Sequence, residues 1–488
     1  MSEHRVLFDT SGNATSADFQ TLSLPFATVK TGTLLSEAIR LAGLDILQPC
    51  GGQGRCGRCI VQVVDGVIRR RSSLRLSPED VEKGYALACQ TVVEGDVLVS
   101  IPPQEKIERR LTTDRTAIEV QPPDTYNFRF SQTIRRYYLQ LSPPQLDDQT
   151  DDWSRLQTVL RQRTGIERID ISLNLLRQMG TILREGDWTI TAIMDVLKEQ
   201  AGNPVDARII DLQPGKGYGD EPLWGAAIDI GTTTVTVWLV DLITGQVRAQ
   251  ASEYNGQIAR GEDVISRIIY ASRDQGGEEM RTRVLDTINS LLNTVCKRVR
   301  ATPDSIMKLT VAGNSTMAHL FLGIPAASIR LSPFITAAND VPLLRAQDVG
   351  IQSHPEAVVD CLPGVASYVG SDITAGVLST GMDESQLITL FIDVGTNGEI
   401  VLGSRDWLIT CACSAGPAFE GAGVIHGMRA TTGAIEEVWI AGPGSEHPYE
   451  PTYRVIGRGK PKGICGSGLI SLLAEAFMTG LIDKAGGI

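Results

Sequence analysis

Four things are scarce in this chain. It has no apolar run of 18 or more residues, so nothing in it reads as a transmembrane helix. Its first residues, MSEHRVLFDTSGN, contain no apolar signal core, and the expectation is a soluble, cytoplasmic chain without a membrane partner. Positive charge is in deficit: 45 Lys and Arg face 57 Asp and Glu, a net charge of −12. Such a chain repels nucleic acid and anionic lipid at long range, which argues against a nucleic-acid role. Paired cysteines are missing too: the nine present are odd in number and scattered, which does not suggest a disulfide framework. What remains is an ordinary globular composition, 42% hydrophobic and 21% charged, over 488 residues. That length suits about three domains.

Four cysteines do have metal-ligand spacing. Cys50, Cys56 and Cys59 share one glycine-rich loop, CGGQGRCGRC, and Cys89 follows after 29 intervening residues. A loop that wraps a cluster must bring backbone N–H groups close to sulfur and adopt positive φ, and glycine does both at low cost. N–H groups aimed at the sulfurs stabilise an anionic cluster and tune its potential. Zinc sites usually pair two short C-x-x-C knuckles, whereas here three ligands share a loop and the fourth is remote. The reading is one 2Fe–2S cluster on Cys50, Cys56, Cys59 and Cys89. This segment resembles ferredoxins of the plant and adrenodoxin type, and its five-residue first gap looks like the adrenodoxin-like branch.

The rest of the chain divides by composition. Residues 1–103 read as a compact unit with short strands (RVLFD, FATVK), a helix (LLSEAIRLAGL), a strand IVQVVDG ending in an Asp-Gly turn, and a last strand DVLVSIP. Residues 104–136 are charged and turn-rich and read as a linker. Residues 137–213 read as a small mixed domain, followed by a Gly/Pro-rich joint, PGKGYGDEP. Residues 224–388 and 389–488 form two related halves, because AAIDIGTTTVTVWLVD and TLFIDVGTNGEIVLGS repeat one pattern. Strands with interposed helices place this unit in the α/β class.

Each repeat carries an Asp-x-Gly-Thr turn between strands. Such a turn presents backbone N–H groups and hydroxyls to phosphate oxygens, and the strand-end aspartate holds Mg²⁺, usually through water. The candidates are Asp229, Gly231, Thr232 and Thr233 in the first loop. In the second they are Asp393, Gly395, Thr396, Asn397 and Gly398. Two matching loops in tandem halves can grip a nucleotide's phosphates from opposite sides, so the expected ligand is a nucleotide with Mg²⁺. Asn314 reads as a cap of the next helix, with a hydrogen bond to nucleotide as the alternative, His319 as a core histidine, and His426 as a better functional candidate than His319. Cys411, Cys413 and Cys465 read as small buried thiols, and Arg69, Arg70 and Arg71 as a solvated loop.

These loops look like those of the actin-like and sugar-kinase ATPase superfamily. More closely, residues 224–488 resemble the ATP-dependent reductive activators of corrinoid proteins. The segments that carry this are VAGNSTM (311–317), LPGVASYVGSDITAG (362–376), DVGTNGE (393–399), CSAGPAFEG (413–421) and GICGSG (463–468). The resemblance implies an α/β multidomain chain with three parts. They are an N-terminal β-grasp ferredoxin-like domain, a small α+β middle domain, and a duplicated actin-like/sugar-kinase (ribonuclease H-like) ATPase domain. It implies one-electron reduction of a corrinoid protein from Co(II) to Co(I), either a methyltransferase or a corrinoid iron–sulfur protein, fed by an upstream low-potential electron donor. It also implies a homodimer through the ATPase unit, and Ser414 and Glu420 facing the corrinoid. In that superfamily a later glycine-rich loop holds adenosine, and none follows before Ile488, so the expectation is a C-terminally incomplete copy. Two other readings stay open: a small-molecule kinase with an appended redox domain, and an electron carrier with an inert ATPase-like half.

Overall fold

Alternating burial fixes the first sheet. In the computed structural model, β1 (Glu3–Asp9), β2 (Phe26–Lys30), β3 (Ile60–Arg70), β4 (Tyr85–Leu87) and β5 (Thr91–Ser100) form a five-stranded sheet in the order β2-β1-β5-β3-β4. The structure describes all residues except 1, 11–23, 49, 55, 74, 103–119, 201–202, 217–220, 396, 414–423, 425, 429, 446 and 488. Strand β1 runs parallel to β5 and antiparallel to β2. Helix α1 (Leu35–Leu41) buries Leu35, Ala38 and Ile39 in the core with Val6, Phe8, Val61, Leu87 and Val99. Sheet and crossing helix make a β-grasp unit. Helix α2 (Pro78–Glu82) starts in a capping box: Asp80 N–H donates to Ser77 Oγ, and Ser77 N–H donates to the Asp80 carboxylate.

Two expectations fail here. Asp65-Gly66 is not a hairpin turn. Strand β3 runs straight through it to Arg70, with register shifts at Val63/Asp65 and Gly66/Ile68. Pairing along the whole of β5 holds the strand extended, so the glycine, at φ +114°, absorbs a bulge. Arg69 and Arg70 therefore end a strand rather than sit in a loop, and Arg69 pairs with Glu94 at 2.6 Å.

Helix α3 (Phe128–Ser131) is capped by Asn127, and β6 (Ile134–Gln140) follows, so regular structure occupies the end of the expected linker. Tyr126 hydroxyl already donates to Leu242 O. Helices α4 (Asp152–Thr164) and α5 (Leu173–Glu185) begin at Asp151 and Ser172, whose side chains accept from Ser154 and Leu175 N–H. With β7 (Arg168–Asp170), β8 (Thr189–Gln200) and β9 (Asn203–Pro214) they form an α+β unit whose sheet order is β6-β8-β9-β7. Its far face is partly covered by the next unit. Ile134, Ile193 and Ile210 pack against Leu223, Leu242, Met307 and Val358 of the next unit.

That unit starts with β10 (Trp224–Ile230), β11 (Thr234–Asp241) and β12 (Gln246–Tyr254), an antiparallel meander. Helices α6 (Val264–Ala271) and α7 (Gly276–Arg298) cover it. Then β13 (Ile306–Gly313) joins β10 in parallel. It is followed by α8 (Ser315–Leu322), β14 (Leu344–Arg345), α9 (Ala346–Val349), β15 (Val358–Cys361) and α10 (Ser371–Thr380). The six-stranded order is β12-β11-β10-β13-β15-β14. The second half repeats the opening as a three-stranded meander, β16 (Thr389–Val394), β17 (Gly398–Ser404) and β18 (Trp407–Cys413). A separate sheet, β19 (Ala434–Ile440), β20 (Pro451–Val455) and β21 (Gly463–Ile464), carries the last helix, α11 (Gly466–Met478). Among the described residues no helix is long and apolar enough to cross a membrane.

Candidate functional site

The cysteine loop wraps as its glycines require. Gly51, Gly52, Gly54 and Gly57 all have positive φ, between +62° and +77°. Cys89 arrives from the other side, in one turn of 3₁₀ helix just before β5. Cys59 and Cys89 belong to the buried core, while Cys50 and Cys56 are half-buried. The four sulfurs form two pairs. Cys50 and Cys56 Sγ lie 3.3 Å apart, and so do Cys59 and Cys89 Sγ. No group of three or more His, Cys, Asp or Glu side chains converges on one point among the described residues. Two pairs fit two irons with two thiolates each, not one tetrahedral ion. The shared proton between Cys56 and Cys50, and then burial, pushes the Cys56 thiol up; Cys59 rises for the same reasons beside Cys89, and Cys89 itself is lowered by Cys59. Crowded thiols of this kind suit a cationic centre that takes over their protons.

The two Asp-x-Gly-Thr turns are β-hairpin turns, β10 to β11 and β16 to β17. In the first, every carbonyl is tied from behind. Asn255 Nδ2 donates to Gly231 O at 3.0 Å, Arg267 donates to Thr232 O, and Asn255 N–H donates to Thr233 O at 2.9 Å. A planar trans peptide points its N–H opposite its C=O, so the Thr232 and Thr233 N–H groups turn away from Asn255 and Arg267. Asn314 does two things at once. Its Oδ1 caps α8 through Met317 N–H, and its Nδ2 donates to Thr232 Oγ1 at 2.9 Å. In the second turn Gly395 N–H closes on Asn397 O at 2.9 Å, and the Cys413 thiol donates to Gly398 O at 3.1 Å.

Between the turns stands a quartet of carboxylates. Burial, then Asp372, then Asp393, pushes Asp229 up to about 6. Burial and Asp393 raise Asp372, in the first turn of α10. Burial, then Asp372, pushes Glu399 up to about 7. Glu399 pairs directly across β16 and β17 from Asp393. Acids that raise one another this way favour a cation among them, and carboxylates of this kind would hold Mg²⁺. Asp372 and Glu399 were not singled out in the sequence. Gly370, ahead of Asp372, offered a signal: a Cβ there would lie 2.4 Å from Asn314 Cα, so α10 is pressed against this site.

The remaining candidates divide. His319 is a core histidine: Nδ1–H donates to Ser315 O at 2.7 Å, Nε2 accepts from Ala337 N–H at 3.0 Å, and burial holds its pKa down. His426 is exposed. Cys465 is buried as expected, but Cys411 and Cys413 are exposed, because β18 is an edge strand exposed on both faces. Thr396, Ser414 and Glu420 lie outside the described residues.

Both sites now have relatives to be set against. Family models match consecutive stretches: a 2Fe–2S iron–sulfur cluster binding domain at 24–94, the RACo linker region at 124–218, the RACo middle region at 224–385, and the C-terminal ASKHA domain of RACo at 387–488. The corrinoid activation enzyme RamQ of Eubacterium limosum is 33% identical over 462 residues, 94% of this chain and 70% of that protein. The chain belongs to the corrinoid reductive activators. The Co(II) methylated amine-specific corrinoid protein reductase of Methanosarcina barkeri is 26% identical over 290 residues, 54% of this chain and 52% of its own. Among solved structures, a reductive activator for corrinoid, iron–sulfur protein matches with a TM-score of 0.61 and 40% identity, covering 99% of this chain and 74% of the other. The family and fold class expected from the sequence are borne out, as are the 2Fe–2S and ATP-binding domains.

Proposed function

We propose that this activator carries out ATP-dependent one-electron reduction of a corrinoid protein, taking its cobalt from Co(II) to Co(I). The observation that supports it most is the union, in one chain matched over 99% of its length by a reductive activator, of a paired-cysteine loop and an acid-lined nucleotide cleft. In this reading Cys50 and Cys56 hold one iron, and Cys59 and Cys89 the other. A cluster bound there supplies storage of one electron at a potential near about −400 mV. Each further ~59 mV uphill costs a factor of ten for one electron, so a lower-lying cobalt acceptor needs a second source of free energy.

The nucleotide cleft is that source. Thr232 and Thr233 present N–H groups to phosphate, and Gly231 lets the turn close. From the opposite half Gly395 shapes the second turn, its N–H closed on Asn397 O, and Thr396, Asn397 and Gly398 meet the phosphates. Asp229 and Asp393, with Asp372 and Glu399, hold Mg²⁺ through water. Nucleotide states that bind the two oxidation states of the partner differently shift the electron-transfer equilibrium. We assign 1–103 to the cluster, 104–125 to a tether, 126–213 to a middle support that takes in the end of the expected linker, and 224–388 with 389–488 to the ATPase. Ser414 and Glu420 face the corrinoid, a low-potential donor loads the cluster, and two ATPase units pair as a homodimer. The acceptor is a corrinoid methyltransferase or a corrinoid iron–sulfur protein.

The test is anaerobic. Reconstituted protein, reductant and a Co(II) corrinoid protein are mixed with and without Mg·ATP, and the visible spectrum is followed. Co(I) should form only with Mg·ATP, and Cys89→Ala should abolish it. Equal Co(I) without nucleotide would overturn the proposal.

A further inference from the structure

The first phosphate loop and the cysteine loop are joined by one short segment. At its start, Asn255 holds Gly231 and Thr233 carbonyls. Four residues on, Ala259 O accepts from Gln48 N–H of the cysteine-loop unit at 2.8 Å. Arg260 follows. Its side chain is 4% exposed and donates to Asp45 Oδ1 at 2.6 Å, Ile46 O at 3.0 Å, and Glu279 Oε1 at 2.8 Å. Arg267 closes the circuit. It is fully buried and donates to Thr232 O, to Gly261 O at 2.9 Å and to Gln257 Oε1 at 3.0 Å. The fit is tight on the other side as well: a Cβ on Gly51 would lie 2.6 Å from Ser266 O, and Arg273 donates to Gly51 O.

We infer that Arg260 and Arg267 are positioning residues that make nucleotide binding at the first phosphate loop and docking of the cysteine-loop unit reinforce each other. The sign follows from the bonds. Docking fixes Arg260 and with it the backbone through Gly261. Gly261 O orients Arg267, and Arg267 turns the Thr232 carbonyl inward so that the loop's N–H groups face outward to phosphate. An anion on those N–H groups favours the same loop geometry, hence the docked arrangement. By linkage, each event strengthens the other by the same factor. The inference rests on the nucleotide reading above.

The experiment uses the full chain with its cluster reconstituted. Amide hydrogen exchange is followed over residues 46–52 with and without Mg·ATP, and Mg·ATP binding is measured by calorimetry. The comparison is with Asp45→Lys, which sets a cation against Arg260 and Arg283, and with Asp45→Glu as the conservative rescue. Saturating Mg·ATP should slow this exchange in the parent protein by about fivefold. Asp45→Lys should speed it without nucleotide and weaken Mg·ATP binding by a matching factor, with the cluster's electron-spin spectrum unchanged; Asp45→Glu should restore both. Measurable Mg·ATP heat with no change in exchange would overturn the inference alone. So would faster exchange in Asp45→Lys with unchanged affinity. No heat in the parent protein would instead overturn the nucleotide reading, and the coupling with it.

Discussion

Two units lean on the domain built around the six-stranded sheet, the middle unit on the sheet itself and the cysteine-loop unit on the 256–260 segment and helices α6 and α7, and they are attached by different means. The middle α+β unit is welded on chiefly by an apolar layer, Ile134, Ile193 and Ile210 against Leu223, Leu242, Met307 and Val358, with Lys308 Nζ donating to Thr133 Oγ1 at 2.9 Å and His354 facing Asp211 at 3.5 Å. The cysteine-loop unit is held by ion pairs and backbone hydrogen bonds around Asp45, Gln48 and Arg260. Beside them lies a cleft of about 150 Å³ lined by Arg40, Gln48, Tyr270 and Arg273, with room for several waters. Apolar burial is non-directional and insensitive to salt, whereas a polar, wet joint with an exposed partner is weakened by salt and opens at low cost. The difference teaches which unit is built to stay and which to leave.

The comparison breaks most visibly at the weld. Ile193→Ala should cost about 2–5 kcal/mol of unfolding free energy, read by chemical denaturation, and middle unit and sheet should still unfold in one transition. Equal loss from either joint would end the contrast. Arg260→Ala should cost less globally, about 1–3 kcal/mol, because Asp45 is largely exposed. Its effect should appear as faster amide exchange over residues 46–52, with added salt mimicking it in the parent protein.

A third pair of experiments sets the acid cleft against both joints. Asp229 and Glu399 sit at about 6 and about 7, above the ordinary carboxylate range. A raised acid contributes folded-state stability that is full below its unfolded pKa and is lost as pH rises through the folded value. The nucleotide-free protein should therefore lose melting temperature between about pH 4 and pH 7. Glu399→Gln should flatten the upper part of that slope and weaken Mg·ATP binding. The smallest signal is a proton count: Mg·ATP binding near pH 6.5 should release protons, read as calorimetric heats that depend on the buffer.

Much of the cysteine loop was readable because its chemistry is local: positive-φ glycines and ligands at fixed spacing leave a mark in the letters. The tandem hairpins were readable for the same reason. What escaped depends on chain segments far apart. Asp372 and Glu399 become part of the site only when α10 and β17 face β10, and Arg260 and Arg267 look like ordinary helix-flanking cations until their partners on distant loops are seen. Asp65-Gly66 misled for a related reason: pairing with β5, set by the sheet, overrode a local turn preference.

The apolar weld has one more consequence, for the shape changes open to the cleft. Because the sheet that carries Asp229 is backed by a second folded unit, it behaves as a fixed jaw. The hairpin carrying Asp393 joins it through a small patch, Val369, Ile373, Met382 and Val401. The two walls of the cleft are thus unequally anchored, the one carrying Asp393 resting on few apolar side chains among the described residues.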